Sequence, residues 1–429
     1  LDAPELGAFL AERGEPSRWP PDTWGLRDLT LAAFYFSPTL DEARARWGVA
    51  QGGVITAGAR PNPSITGALG YNATAPADEI TPWIPEVLLD LPLETAGKRG
   101  IRIAEARQRS ESARLNLLTA AWDVRTRARQ AFLDLYVARQ NDSLLARRLE
   151  IQTETARILD AQRQAGEASP TEATRAHVDL AASRIEALDA ERAAAAARSE
   201  LSDAVGVPPA ALDEVGLDFG ELGTVQIEIP PTEVRRRALL GRSDLLVALA
   251  DYEASQAALQ LEVRKQYPDL SLGPGYQLDQ TDAKWTVGLT VSLPLFHRNR
   301  GPIAEAAARR EEAAARFLVV QSRILSEVEQ SEIMAGSAVA QVEAADTLLE
   351  ALSRQEAASR AAYAVGEISR LDLLGLQADM VSTALTRMHA LAAAQEALAA
   401  LENAMQFPLD VEAWVLESPR QVGAGGGRP

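Results

Sequence analysis

Residues 285–295 read WTVGLTVSLPL, and residues 83–93, 202 positions earlier, read WIPEVLLDLPL. In the later stretch Trp285, Val287, Leu289, Val291, Leu293 and Leu295 alternate with Thr286, Gly288, Thr290, Ser292 and Pro294. A period of two with every odd side chain apolar predicts a strand that is oily on one face and polar on the other. Neighbouring segments agree: Ile65, Leu69 and Tyr71 oppose Ser64, Thr66 and Asn72, and Leu270, Leu272, Tyr276 and Leu278 oppose Asp269, Ser271 and Gln277. In the earlier stretch Val87, Leu89 and Leu91 oppose Glu86 and Asp90, two carboxylates placed to line a pore or to be solvated at a strand end.

Soluble hairpins on a helical core would alternate in the same way, but two features favour lipid. Basic residues stand at the helix-side end of each strand: Arg60, Lys98 with Arg99, Arg264 with Lys265, and Arg298 with Arg300. Trp83 and Trp285 stand at the opposite ends, on the apolar face. Aromatics at one interface and long cations at the other are what a bilayer selects, and ~9–11 residues suit a tilted membrane strand. The expected lipid-facing residues are Leu289, Val291, Leu293, Trp83 and Trp285. Four strands cannot close a barrel, and an open sheet edge in hydrocarbon leaves backbone groups unpaired, so the chain is expected to oligomerise. Closure alone leaves two or three chains open.

The duplication extends outward. After each "PL" comes a basic glycine turn and an Ala-, Glu- and Arg-rich run, KRGIRIAEA ending at Ala106 and RNRGPIAEA ending at Ala306. Residues 98–165 hold one glycine, Gly100, and no proline, which predicts a helix roughly 100 Å long. Gly166, Glu167 and Ser169 recur as Gly366, Glu367 and Ser369. Gly supplies a left-handed helix end and Ser an N-cap, with Glu172 or Asp372 closing a capping box, so each long helix is expected to turn back as a hairpin. The returning helix 170–204 is half the needed length, and a single helix 232–266 is expected to complete it. In the second copy the long helix 302–365 and the return 369–405 are completed by a helix over 26–57.

The resulting organisation is an N-terminal segment, 1–24, and a first repeat, 25–205, with a β-hairpin near 61–93 and a helical hairpin near 98–204. A Pro- and Gly-rich linker, 206–231, forms a mid-height belt. The second repeat is 232–405, with hairpins near 268–295 and 301–405, and 406–429 is a terminal segment whose glycine run 423–427 reads as a flexible tail.

Composition narrows the function. A net charge of −17 disfavours nucleic acid, which needs clustered Lys and Arg. With no cysteine, thiolate metal sites and cysteine nucleophiles are excluded. No stretch reaches the ~18 apolar residues of a membrane helix. His177, His297 and His389 lie far apart, no hydrolase, zinc-protease or nucleotide-loop motif occurs, and no catalytic, cofactor or metal residue is assigned. The chain opens on Leu1 with no leader, which predicts a processed, exported form.

From about Leu26 to Phe407 these features resemble the TolC family of outer-membrane efflux factors. The resemblance is carried by the duplicated plan, the junctions DLPLETAG and SLPLFHRNRG before IAEA helices, and the turns GEAS and GEIS. It implies a mainly α fold with membrane β: a homotrimer whose twelve-stranded β-barrel, four strands per protomer, continues into an α-barrel tube. It also implies a passive channel in the outer membrane of a Gram-negative-type bacterium, with a long periplasmic extension and no enzyme activity. Its partners would be a periplasmic adaptor, meeting the tips at Gly166, Glu167, Ser169, Gly366, Glu367 and Ser369, and an inner-membrane pump. The family's periplasmic constriction lies beside these tips and is often acidic, which points to Asp372 or Asp379 as an aperture ring. Both equally suit structural roles, in a capping box and on a solvated helix face. PLFHRNRGPIAEA resembles the branch serving heavy-metal pumps, so drugs and metal cations are both candidate cargo. Lipid-anchored relatives carry an N-terminal cysteine that this chain lacks. A periplasmic adaptor or a coiled-coil scaffold would explain long helices, but not two copies with lipid-patterned strands.

Overall fold

A computed structural model describes the protein at every residue except 2, 12–18, 75–80, 214, 226–230, 280, 281, 295 and 407–429. Leu295 and the glycine run 423–427 therefore lie outside the described residues. In chain order the elements are α1 (Pro4–Ala11), β1 (Thr23–Trp24), α2 (Leu26–Phe36), α3 (Pro38–Gly58), β2 (Ser64–Tyr71), β3 (Trp83–Leu93), α4 (Lys98–Ala165) and α5 (Pro170–Val205). They continue with β4 (Gly216–Leu217), α6 (Pro231–Gly241), α7 (Ser243–Arg264), β5 (Leu270–Asp279), β6 (Asp282–Val291), α8 (Arg300–Ala364) and α9 (Arg370–Met405).

The long helices form because little in them opposes helix and much supports it. Ion pairs one turn apart, Arg114 with Glu111 and Arg157 with Glu154 on α4 and Arg360 with Glu356 on α8, line their exposed faces. Gly301 and Pro302 fall in the first turn of α8, where a missing N–H is harmless.

The chain divides into two compact units. One is helical and comprises Leu1–Asp41, Leu118–Arg242 and the described chain from Arg323. In it α5 buries Ala176, Ser183, Ala190 and Ala197, small residues seven apart. This is a 3.5-residue seam that lets an antiparallel neighbour approach closely. Arg148–Glu186 at 3.1 Å and His177–Asp160 at 2.9 Å tie α4 to α5 across the hairpin. On α9 every seventh residue from Leu374 is buried: Leu374, Val381, Met388, Gln395 and Glu402. Leu374 and Val381 pack with Ile151 of α4, and Met388 with Ala335, Ala338 and Val342 of α8.

The other unit comprises Glu42–Leu117 and Ser243–Ser322 and holds one antiparallel sheet in the order β2-β3-β5-β6. Its register runs through Ile65↔Leu89, Val87↔Tyr276, Leu91↔Leu272 and Leu272↔Leu289, so the apolar sets of all four strands share one face. β6 begins at Asp282, three residues before Trp285, and ends at Val291.

Two expected helices differ. The helix expected over 26–57 is two, because the chain leaves helical geometry at Ser37 and restarts with Pro38 in a first turn. The helix expected over 232–266 also breaks, at Arg242, a buried residue whose guanidinium pairs with Glu327 and donates to the Ala404 carbonyl at 3.3 Å. Between α5 and α6 the chain is partly ordered by a short parallel pairing, Thr23↔Gly216 and Trp24↔Leu217.

Candidate functional site

The sheet presents two unlike faces. On one, Trp285, Val287, Leu289, Ile65, Leu69, Tyr71, Trp83 and Val87 are all exposed, Trp285 to 81% and Leu289 to 65%; Val291 is less so at 37%, and Leu293, two residues past the end of β6, is exposed as well. Soluble proteins rarely leave so continuous an apolar surface uncovered. The other face carries Ser64, Thr66, Glu86, Asp90, Gln277, Thr286 and Thr290, with Glu86 directly opposite Gln277. Ile84 and Leu88 are apolar residues on this polar face, and the Leu88 side chain lies over Gly275, where a Cβ would come within 3.1 Å of it. Both outer strands, β2 and β6, have one edge without a partner strand among the described residues.

The basic residues at the helix-side ends do not form the uniform row expected. Lys98 is buried, donating to the Tyr267 carbonyl at 2.7 Å and pairing with Asp269 at 2.8 Å. Arg99 donates to the Gly58 carbonyl at 2.6 Å, Arg102 pairs with Glu94, and Thr95 donates its N–H to Asp269 at 2.8 Å. The junction of strand and helix in the first copy thus uses Lys98, Arg99 and Arg102 internally, whereas Arg298 and Arg300 in the second copy, like Arg60 and Arg264, are exposed with no such partner among the described residues. Burial of a cation beside a carboxylate from another segment leaves no trace in local sequence pattern.

The two hairpin turns are built alike. Gly166 (φ 78°) and Gly366 (φ 83°) adopt the left-handed conformation. Glu167 donates its N–H to the Gln162 carbonyl at 2.8 Å, and Glu367 to that of Ala362 at 2.9 Å. Ser169 N–H donates to Glu172 at 2.8 Å while Glu172 N–H donates to Ser169 Oγ at 3.1 Å. Ser369 and Asp372 repeat the exchange at 2.9 and 3.2 Å, with Ser369 Oγ donating to Asp372 at 2.7 Å. These bonds, from the Ser169 backbone first, hold Glu172 below the usual carboxylate range; the Ser369 hydroxyl first, then its N–H, do the same for Asp372. Asp372 and Asp379, seven residues apart, lie on one exposed stripe of α9 with Gly375 and Ser382.

A buried polar network was not foreseen from the sequence. Glu402 accepts from Arg125 at 2.8 Å and pairs with Arg129 at 3.5 Å. Arg129 donates to Gln395 Oε1 at 3.2 Å, and the Gln395 amide donates to the Leu222 and Thr224 carbonyls at 3.1 Å each. It ties α4 and α9 to the segment expected to form the belt. Among the described residues no cluster of three or more His, Asp or Glu could hold a metal. No helix among them is long and apolar enough to cross a membrane.

Residues 33–207 and 234–405 match the outer membrane efflux protein family. A curated relative, the cobalt-zinc-cadmium resistance protein CzcC of Cupriavidus metallidurans, is 25% identical over 271 residues, which are 62% of this chain and 62% of CzcC. The fold is shared with solved channels at lower identity. VceC of Vibrio cholerae superposes with a TM-score of 0.72 at 19% identity, covering 89% of this chain and 95% of VceC. The CmeC outer membrane channel of Campylobacter jejuni gives 0.72 at 16%, covering 94% and 93%. With both copies of the repeat matched, the chain belongs to the outer membrane efflux protein family.

Proposed function

We propose that the chain is the outer-membrane component of a tripartite efflux system, a homotrimer that conducts solutes passively from periplasm to exterior. The observation that carries this reading is the sheet, apolar on one exposed face, polar on the other and, among the described residues, unpaired at both edges. Edge backbone groups in hydrocarbon must be satisfied by another strand. Because β2 and β6 run antiparallel, β6 of one copy can pair with β2 of the next and keep the barrel antiparallel throughout. Three copies supply twelve strands, with Leu289, Val291, Leu293, Trp83 and Trp285 toward lipid. The turns at Gly166–Ser169 and Gly366–Ser369 are the surfaces offered to a periplasmic adaptor coupled to an inner-membrane pump, and Asp372 or Asp379 forms the aperture ring. The cargo best supported is a divalent metal cation, since the curated relative is a cobalt-zinc-cadmium resistance protein and the PLFHRNRG junction resembles the heavy-metal branch. The mass of the detergent-solubilised oligomer tests the assembly, with three chain masses expected. A monomer without single-channel conductance in planar bilayers would overturn the reading.

A further inference from the structure

We propose that the turn 296–300 is a phospholipid-headgroup anchor, in which Phe296 enters the lipid interface and Arg298 and Arg300 hold the phosphate of an anionic phospholipid in the periplasm-facing leaflet. This rests on the apolar strand face being the lipid-facing one.

The turn is rigid and strained. Arg298 (φ 43°) and Asn299 (φ 55°) are consecutive non-glycine residues in the left-handed region, which L side chains adopt at a penalty. Four hydrogen bonds hold them there: Asn299 N–H to His297 Nδ1 at 3.1 Å, Asn299 Nδ2 to the Glu262 carbonyl at 2.7 Å and to its carboxylate at 2.8 Å, and Gln266 Nε2 to the Arg298 carbonyl at 2.8 Å. An outlier maintained by surrounding bonds is a place to look for function.

Comparison of the two copies shows what differs. The first makes the same turn 202 residues earlier, with Ala96 (φ 56°) and Gly97 (φ 71°), and directs its charges inward: Glu94 pairs with Arg102, and Lys98 is buried against Asp269. At the positions of Glu94 and Lys98 the second copy has Phe296 and Arg300. Phe296 is fully exposed, at 101%, and Arg298 and Arg300 are exposed. Among the described residues neither guanidinium has a hydrogen-bond or ion-pair partner, although acids outnumber bases 60 to 43 in the chain. Two unpaired cations beside a bare aromatic ring, five residues past the end of β6 on the apolar face's helix side, fit the boundary where acyl chains meet phosphates. The planar guanidinium fork matches phosphate oxygens.

The test uses the full-length protein in nanodiscs of phosphatidylcholine mixed with phosphatidylglycerol, with lipid retention read by native mass spectrometry. Arg300→Gln is expected to lower the preference for phosphatidylglycerol about five-fold, the effect of one arginine at an anionic surface. Arg298→Gly is expected to lower it similarly while raising the unfolding temperature, since glycine relieves the left-handed strain. Unchanged preference in both variants overturns the anchor, as does displacement of phosphatidylglycerol by millimolar-range inorganic phosphate, which would mark a site for a free anion. Leu289→Cys, labelled with a membrane-restricted reagent, separates the two failures: labelling with unchanged lipid preference sinks the anchor alone, and no labelling sinks the lipid-facing reading beneath it.

Discussion

The ring of Tyr276 lies 4.9 Å from that of Trp285, its register partner on the adjacent strand, and Tyr71 lies 5.0 Å from Trp83 in the same relation in the other hairpin. Each pair sits on the apolar face, and cross-strand aromatic pairs favour the register that joins them. The two hairpins are thus pinned at equivalent heights, which leaves Leu289 and its neighbours between the aromatic pair and the basic turn.

Leu289→Arg should therefore destabilise the assembled protein by about 2–4 kcal/mol if Leu289 lies near the bilayer midplane, and Thr290→Arg by much less. Unfolding in lipid nanodiscs measures it. Equal effects at the two positions would contradict the assignment of faces.

At the second hairpin turn, Gly366→Val places a β-branched residue at φ 83°, a conformation disfavoured by about 1–2 kcal/mol even for unbranched residues. Nothing lies within 4 Å of the added Cβ, so the effect is backbone strain and not a clash. We expect weaker adaptor crosslinking at this turn with an unchanged circular dichroism spectrum. Crosslinks that map to the 206–231 segment instead would refute the docking role.

Protons should loosen both turns. Glu172 and Asp372 have folded pKa values held below their unfolded ones, so their caps contribute fully above the ordinary carboxylate range of about 4 and lose that contribution as pH falls through the folded values. Protection of the Glu172 and Asp372 amides against hydrogen exchange should be constant from neutral pH down to about 5 and decline below it. Glu172→Gln with Asp372→Asn should abolish the pH dependence, whereas Ser169→Ala with Ser369→Ala should only weaken it, since the backbone N–H at each position still donates to the carboxylate.

Glu402 is 1% exposed and neutralises two buried arginines. Glu402→Gln leaves Arg125 and Arg129 without that charge, and removing one side of a buried pair typically destabilises by about 3–5 kcal/mol. Replacing Glu402, Arg125 and Arg129 together with leucine should recover most of the loss in thermal unfolding. A single variant as stable as the parent would show the network to be dispensable.

For the aperture, Asp372→Asn with Asp379→Asn should reduce cation selectivity and divalent block in single-channel recordings if the ring forms there. Like charges around a shared axis repel and attract counter-ions at short range. Asp372 is engaged by Ser369, so Asp379→Asn alone is expected to show the larger share. Unchanged selectivity in the double variant would return both residues to structural roles.

Local pattern was enough to place the strands, because apolar alternation at 285–295 and its partners reports which side of a strand avoids water wherever the strand lies. It was also enough for the hairpin turns, because Gly166, Ser169 and Glu172 act on backbone groups within a few residues of themselves. The breaks at Ser37 and Arg242 escaped it as positions, since Pro38 and Gly241 only weaken helix locally, and what holds the second is burial of the Arg242 guanidinium against Glu327 and Ala404. So did the seam of α9. By period Gln395 and Glu402 follow Leu374, Val381 and Met388, yet polar residues at seam positions read as solvated until partners far away in the chain satisfy them. The same holds for the two junction turns, whose basic residues look alike in sequence. Lys98 is buried because Asp269, 171 residues away, is brought beside it, while Arg298 and Arg300 meet no carboxylate among the described residues. Periodicity encodes where a side chain avoids water; which charge ends up paired depends on what folding carries next to it, because Coulomb attraction and desolvation act over ångströms in space and not over positions along the chain.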